Sequence, residues 1–141
     1  MEMPDEIYDQ LNEHCERGEA LLAEGDADAA LEQYMAAEAL IPSPKLNWEA
    51  ALWVYAAIGD AWFAKQDFDR ARQAFSNAVL CPDGLGNPFI HLRLGQCQFE
   101  ANNLDKAADE LTRAYMAEGL AIFDEDDPKY LAFLRTRIDL T

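Results

Sequence analysis

The sequence predicts an all-α protein built from a repeated pair of helices. Three glycines, Gly18, Gly59 and Gly95, lie inside helical patterns and set the register of the repeat. Twelve, sixteen and nineteen residues after each glycine come an alanine, a large apolar residue and a second alanine. Because this spacing recurs three times, it indicates three helix hairpins. The residues concerned are Ala30, Tyr34 and Ala37; Ala71, Phe75 and Ala78; and Ala107, Leu111 and Ala114.

The residue types at these positions suit closely packed helix pairs. Glycine and alanine in mid-helix allow the partner helix to approach, and we expect the large residue to fill the space between successive hairpins. A turn that can end one helix and cap the next falls within each hairpin. These turns are Gly25-Asp26, Gln66-Asp67 and Asn102-Asn103.

The pattern predicts seven helices and no strand. The last helix should begin at Asp127-Pro128, carry an apolar stripe of Leu131, Leu134 and Ile138, and cap the array. Unequal glycine spacings place inserts between the repeats, near residues 43–49 and 83–87. The expected helices lie near residues 5–23, 27–40, 47–64, 68–81, 88–101, 105–122 and 128–138.

These landmarks resemble the tetratricopeptide repeat, most strongly in residues 51–82, which contain Tyr55, Gly59, Trp62 and Phe75, and in residues 94–119. The resemblance covers about residues 11–119. His14 and other residues depart from the family's pattern, and the end helices match less well. The resemblance implies three antiparallel hairpins in a right-handed superhelical stack within a single domain over residues 1–141. Its repeats would span about 11–42, 52–83 and 88–119, with a capping helix at about 128–138.

The charge balance disfavours nucleic acid and membrane partners. The chain has 27 acidic and 11 basic residues, a net charge of −16, which opposes phosphate backbones and anionic lipids. The first forty residues hold twelve acids and one base, Arg17, a net of −11. This acidity serves either solubility or the steering of a partner. No apolar run reaches the ~18 residues of a membrane span, and no secretory signal is recognised, so we expect a cytoplasmic protein.

No pattern of catalytic or metal-binding residues is found. His14 and His91 share one repeat position, four residues before a glycine, which is a helix-packing position. Cys15, Cys81 and Cys97 form no CxxC pair, and the acidic run at residues 124–127 lacks the spacing of a calcium loop. We therefore expect no enzyme activity, no cofactor and no metal.

The candidate site is the stripe beside the glycines on the first helix of each hairpin, which helical geometry turns into the concave groove. In the tetratricopeptide family this groove commonly holds partner segments. Its predicted partner-binding residues are Asn12, Glu19, Trp53, Asp60, Phe63, Phe89, Gln96 and Phe99, and the same stripe includes Cys15, Leu22, Ala56 and Leu92.

Other uses of this stripe stay open. A segment of the chain itself could bury the aromatic residues as core, or exposed Trp53 and Phe63 could serve a homodimer. One subgroup of the family clamps the carboxylate of chaperone tails with Lys, Asn and Arg on this stripe. The corresponding residues here are Cys15, Glu19, Ala57 and Phe89, with only Arg93 matching, and such an acidic groove would repel a carboxylate.

Two functions fit a small acidic chain of three repeats that binds one protein partner. The first is an immunity protein that sequesters a basic bacterial toxin, whose association acidic residues would accelerate. The second is a secretion chaperone or adaptor that holds an extended segment of its cargo in the groove. The first is preferred on charge and on analogy of fold.

Overall fold

The computed structural model describes residues 3–140, which form seven α-helices, two short 3-10 helices and no strand. Helices α1 and α2, α3 and α4, and α5 and α6 pair as three hairpins. The helices are α1 (Asp5–Ala23), α2 (Ala27–Leu40), α3 (Glu49–Ala64), α4 (Phe68–Leu80), α5 (Pro88–Glu100), α6 (Leu104–Glu118) and α7 (Pro128–Arg135); the 3-10 helices are Lys45–Asn47 and Leu120–Phe123.

The chain divides into two compact units, one ending at Leu85 and the other beginning at Gly86. Unit 1 contains the first two hairpins, and unit 2 contains the third hairpin with α7. The single continuous domain expected from the sequence stays a prediction.

The predicted turns within the hairpins are confirmed. Gly25, Gln66 and Asn102 have φ values of 88°, 62° and 63°, a left-handed conformation that ends the first helix of each hairpin. The carboxylates of Asp26 and Asp67 then accept hydrogen bonds from backbone N–H groups three residues later, at 3.0 and 3.1 Å. These bonds satisfy donors that helix geometry leaves unpaired, so α2 and α4 begin where the sequence placed them.

Each repeat glycine is in close contact with the large residue sixteen positions later. A Cβ added to Gly59 would lie 2.7 Å from the ring of Phe75, well inside van der Waals contact. The large residue therefore packs against its own hairpin, whereas we expected it to fill the space between hairpins. The three pairs are Gly18 with Tyr34, Gly59 with Phe75 and Gly95 with Leu111.

The first insert in unit 1 is part of the packed structure. The Lys45 ammonium donates to the carbonyls of Glu38 and Ile41, at 2.8 and 2.9 Å, and satisfies acceptors at the end of α2. Trp48 is only 7% exposed, and its indole N–H donates to the carbonyl of Pro42 at 2.7 Å. Because these residues form a 3-10 turn first, α3 begins at Glu49 rather than near residue 47.

In unit 2, α7 covers the apolar face of the third hairpin, as predicted. The buried cluster there consists of Leu92, Leu111, Ala114, Phe123 and Leu134. Two helix ends differ from the prediction. Helix α6 stops at residue 118 rather than near 122 because Gly119 has a φ of 76°, and the following 3-10 helix turns Phe123 into the core. Helix α7 ends at residue 135 rather than near 138.

The two histidines occupy equivalent structural positions. The Nδ1 atom of His14 lies 2.9 Å from the amide oxygen of Gln33, and that of His91 lies 2.5 Å from a carboxylate oxygen of Glu110. The backbone N–H of Gly86 donates to Nε2 of His91 at 3.2 Å, so Nε2 carries no proton and Nδ1 donates to Glu110. Both histidines therefore join the two helices of a hairpin.

The glycine contact predicts the effect of adding a side chain at Gly59. Gly59→Leu should lower the free energy of unfolding by about 3 kcal/mol, because the leucine would overlap the buried ring of Phe75. Ala64→Leu is the matched control, since Ala64 is exposed on the same helix and its change should stay within about 0.5 kcal/mol. Urea unfolding followed by circular dichroism measures both. Equal stabilities for the two variants would show that the glycine register is wrong.

Candidate partner-binding cleft

Unit 1 has a cleft of ≈ 310 Å³ between α1 and α3, which we call the α1–α3 cleft. On α1 the lining residues recur every three or four positions as 11, 15 and 19 and as 12 and 16, and on α3 they are 50, 53 and 57, so each helix contributes one face. They are Leu11, Asn12, Cys15, Glu16 and Glu19 from α1, and Ala50, Trp53 and Ala57 from α3.

Trp53 is the large apolar residue of this cleft. Its side chain is 64% exposed, although it stands in a helix whose other faces are mostly buried. Ala50 and Ala57 lie about one turn before and after it and place only methyl groups beside the indole. An exposed tryptophan in a concave site is typical of protein interfaces, where tryptophan is a frequent anchor.

The cleft is acidic. Glu16 and Glu19 have no ion-pair or hydrogen-bond partner within residues 3–140, and no basic side chain lines the cleft. Burial, and then the Glu19 carboxylate, raises the pKa of the Cys15 thiol from 9.0 to about 11. Burial, with smaller contributions from Glu19, Cys15 and Asp60, raises the pKa of Tyr34 to about 12. Cys15 is therefore a protonated thiol at neutral pH and is unsuited to nucleophilic chemistry.

The structure brings three of the predicted site residues together here. Asn12, Glu19 and Trp53 all line the α1–α3 cleft. Asp60 is half-buried and lies close enough to the Tyr34 hydroxyl to affect its pKa. Phe63 is half-buried and packs edge-on against Phe68 of its own hairpin, with ring centroids 5.2 Å apart, so it is not a freely exposed anchor.

The predicted residues of unit 2 behave differently. Phe89 is 65% exposed, but Gln96 is 0% exposed, so the prediction of an accessible Gln96 is wrong. Phe99 is half-buried and packs against Tyr130 and Phe133 of α7, at centroid distances of 5.5 and 5.1 Å. Phe99 is covered because α7 packs its own aromatic residues against this face of α5. The alternative in which the chain's own segment covers the stripe therefore holds at Phe99.

Sequence reasoning missed four lining residues. The predicted stripe on α3 continued from Trp53 through Ala56 and Asp60, whereas the lining face runs along the other side of Trp53. The positions three residues before and four residues after Trp53 fit helical spacing equally well. Choosing them would have identified the face that lines the cleft. The lining residues absent from the predicted partner-binding residues are Leu11, Glu16, Ala50 and Ala57, and Ala57 had entered only as the counterpart of a carboxylate-clamp residue.

A second cleft of ≈ 260 Å³ lies on another face of α3, between α2 and α4. Its polar groups are largely paired within the chain. The Tyr55 hydroxyl donates to Glu38 at 3.1 Å, and the Arg70 guanidinium lies 4.8 Å from the ring centroid of Trp62. We therefore regard the α1–α3 cleft, which has unpaired carboxylates and an exposed indole, as the better candidate.

The structure shows no candidate metal centre in the part of the chain that it describes. Residues 3–140 contain no group of three or more histidine, cysteine or acidic side chains placed to hold a metal ion. Among the same residues, no helix has the length and hydropathy needed to cross a membrane.

The fold is the tetratricopeptide-repeat fold, as three solved structures show. The second TPR domain of human RPAP3, in complex with the HSP70 peptide SGPTIEEVD, matches with a TM-score of 0.72 at 17% identity, covering 92% of this chain and 96% of that chain. The second TPR of Spaghetti (RPAP3), bound to the HSP90 peptide SRMEEVD, matches with a TM-score of 0.67 at 21% identity and covers 77% of this chain and 93% of that chain. The first TPR of Spaghetti, bound to the same peptide, matches with a TM-score of 0.69 at 18% identity and covers 91% of this chain and 92% of that chain. No family model and no curated protein matches the chain.

The reactivity of Cys15 reports the electrostatics of the cleft. Because its pKa is raised to about 11, its alkylation by iodoacetamide should be slow at pH 8 and rise about tenfold per pH unit towards pH 11. Glu19→Gln should accelerate the reaction several-fold at pH 8, whereas the control Glu32→Gln, outside the cleft, should not. Peptide mass mapping separates Cys15 from the buried Cys81 and Cys97. A rate that levels off below pH 9 would contradict an acidic, partly desolvated cleft.

Proposed function

We propose that this protein is a non-enzymatic, cytoplasmic binding protein that sequesters one partner protein, as an immunity protein sequesters the basic toxin that it neutralises. The observation that carries the proposal is the α1–α3 cleft, in which a mostly exposed Trp53 stands among unpaired carboxylates. Trp53 stands in a concave site beside Leu11 and two alanines, and tryptophan is enriched among the residues that anchor protein interfaces.

The fold supports a protein partner. The tetratricopeptide domains that this chain resembles were solved with short peptides of HSP70 and HSP90 bound to them. A scaffold of helix hairpins thus presents a surface on which an extended segment of another protein can lie. The α1–α3 cleft has a size that accommodates side chains from such a segment.

The recognition of an acidic peptide tail, as in those domains, is not expected in the α1–α3 cleft of this chain. Their peptides end in the acidic sequence EEVD, and an acidic cleft would repel such a tail. Arg93 is the single match to the carboxylate-binding residues of the family. Its guanidinium already donates to Gln96 at 2.8 Å and to Asp126 at 3.2 Å. A chaperone-tail receptor is therefore disfavoured.

Charge supports a basic partner. The first forty residues carry a net charge of −11, and they include α1, which forms one wall of the cleft. A field of this sign accelerates encounters with positively charged proteins and slows those with acidic ones. Toxins that cleave nucleic acid are often basic, which is why the immunity role is preferred.

A secretion chaperone or adaptor is the second candidate. It is favoured by the peptides bound to the similar domains, since a chaperone also holds an extended segment. The two roles differ in what the partner must present. An isolated segment of the cargo suffices for a chaperone, whereas an immunity protein must bind the folded toxin and abolish its activity.

The proposal is tested with the partner captured from the native host. Trp53→Ala should weaken its binding about tenfold or more, because a central tryptophan anchor typically contributes ~2 kcal/mol. Met116→Ala, which removes another exposed apolar side chain from α6 in unit 2, should leave binding unchanged. Isothermal titration calorimetry with each variant gives the two affinities.

Stability measurements on the same variants separate recognition from folding. Trp53→Ala should change the free energy of unfolding by less than about 1 kcal/mol, since the side chain is exposed. Phe99→Ala should cost roughly 3 kcal/mol, because it removes packing against α7. A stable Trp53→Ala protein that still binds the partner with full affinity would refute the proposed role of the cleft.

A further inference from the structure

Two tryptophans of α3, Trp53 and Trp62, differ in whether a cation of the chain lies over the indole ring. The ring of Trp62 has the Arg70 guanidinium at 4.8 Å and the Lys65 ammonium at 5.5 Å from its centroid. Such cations are attracted to the negative face of an aromatic ring. Trp53 has no cation or aromatic ring against it among residues 3–140, although its indole is more exposed. Its ring therefore stays available to a cation from outside the chain.

The carboxylates of the cleft are likewise without a counter-charge. Several other helical acids do have one; for example, Arg72 lies 2.9 Å from Asp69, and Arg113 lies 3.3 Å from Asp109. Glu16 and Glu19 instead line the same cleft as Trp53, with no base among the lining residues. An incoming cation would meet two negative charges and an aromatic face in one site.

The cleft also has an apolar component that a free metal ion or ammonium would not use. Leu11 is buried, and the alanines beside Trp53 add methyl groups to the wall. Long basic side chains bury an aliphatic stem and keep the charged end at a polar rim. This combination of an apolar wall and an acidic rim matches the structure of lysine and arginine side chains.

We infer that the α1–α3 cleft takes an extended, internal segment of a partner protein in which lysine or arginine alternates with apolar residues. The stem of the basic side chain packs on Trp53, and its charge lies at Glu16 and Glu19. This inference rests on the proposed function and names the chemistry of the segment that is bound. No terminal carboxylate is required, in contrast to the EEVD peptides of the similar domains.

Three fluorescently labelled peptides test the inference: the capped peptides GLRLKLRG and GLELELEG, and SRMEEVD with its free carboxylate. Fluorescence anisotropy at low ionic strength should show that GLRLKLRG binds about tenfold or more tightly than either acidic peptide. In two-dimensional NMR spectra, the indole N–H signal of Trp53 should shift on binding, while that of the buried Trp48 should not.

A charge-matched pair of variants controls for attraction to the net charge of the protein. Glu16→Gln with Glu19→Gln removes two charges from the cleft, and Glu32→Gln with Glu118→Gln removes two charges elsewhere. The first pair should weaken GLRLKLRG binding about fivefold or more, and the second less than about twofold. Circular dichroism confirms that both proteins remain folded.

Either of two results would overturn the inference. One is equal weakening by the two variant pairs, which would mean that the basic peptide is held by overall charge alone. The other is acidic peptide binding as tight as that of GLRLKLRG. If the captured partner still depends on Trp53 in that case, the proposed function stands and only the basic-segment inference falls.

Discussion

In each hairpin, a glycine of the first helix is pressed against a large side chain of the second, and the remaining packing is arranged around that contact. The pairs Gly18 with Tyr34 and Gly59 with Phe75 show why the spacing of sixteen residues recurs. Only a residue without a Cβ lets the buried ring lie directly on the helix backbone. The alanines around each large residue are fully buried and keep the two helices close.

This close packing determines which helix faces stay outside the core and can contact a partner. Because α3 directs Val54 and Ile58 into the core, its opposite face carries Trp53 towards α1 and the cleft. The acidic side chains of α1 then face a wall with no basic residue. The binding properties of unit 1 thus follow from helical geometry together with an uneven distribution of charge.

Most of the fold could be predicted from the sequence, since the repeated glycine spacing and the helix caps are local signals. The bounds of α1 and α2 were predicted to the residue. The errors lie where a distant contact or a local backbone conformation determines where a helix begins or ends. Gly119 ends α6 early through its positive φ, and the insert at Lys45 folds into a 3-10 turn because its ammonium satisfies the end of α2.

The candidate site was less predictable than the fold. Exposed Trp53 and the acidic residues of α1 followed from helical periodicity, which places residues on a face. Periodicity does not show what covers that face. Gln96 and Phe99 have the same pattern as the cleft residues, yet α7 packs against Phe99 and Gln96 is fully buried. Only tertiary structure distinguishes the covered part of the stripe from the open part.

The claim that partners bind in the α1–α3 cleft is tested most directly by NMR mapping of the complex. Amide signals of the ¹⁵N-labelled protein are compared with and without the captured partner. The largest changes are predicted at the lining residues of α1 and α3, with Cys15, Glu19 and Trp53 among them. Changes confined to the cleft between α2 and α4, or to α6, with α1 unaffected, would contradict the assignment of the site.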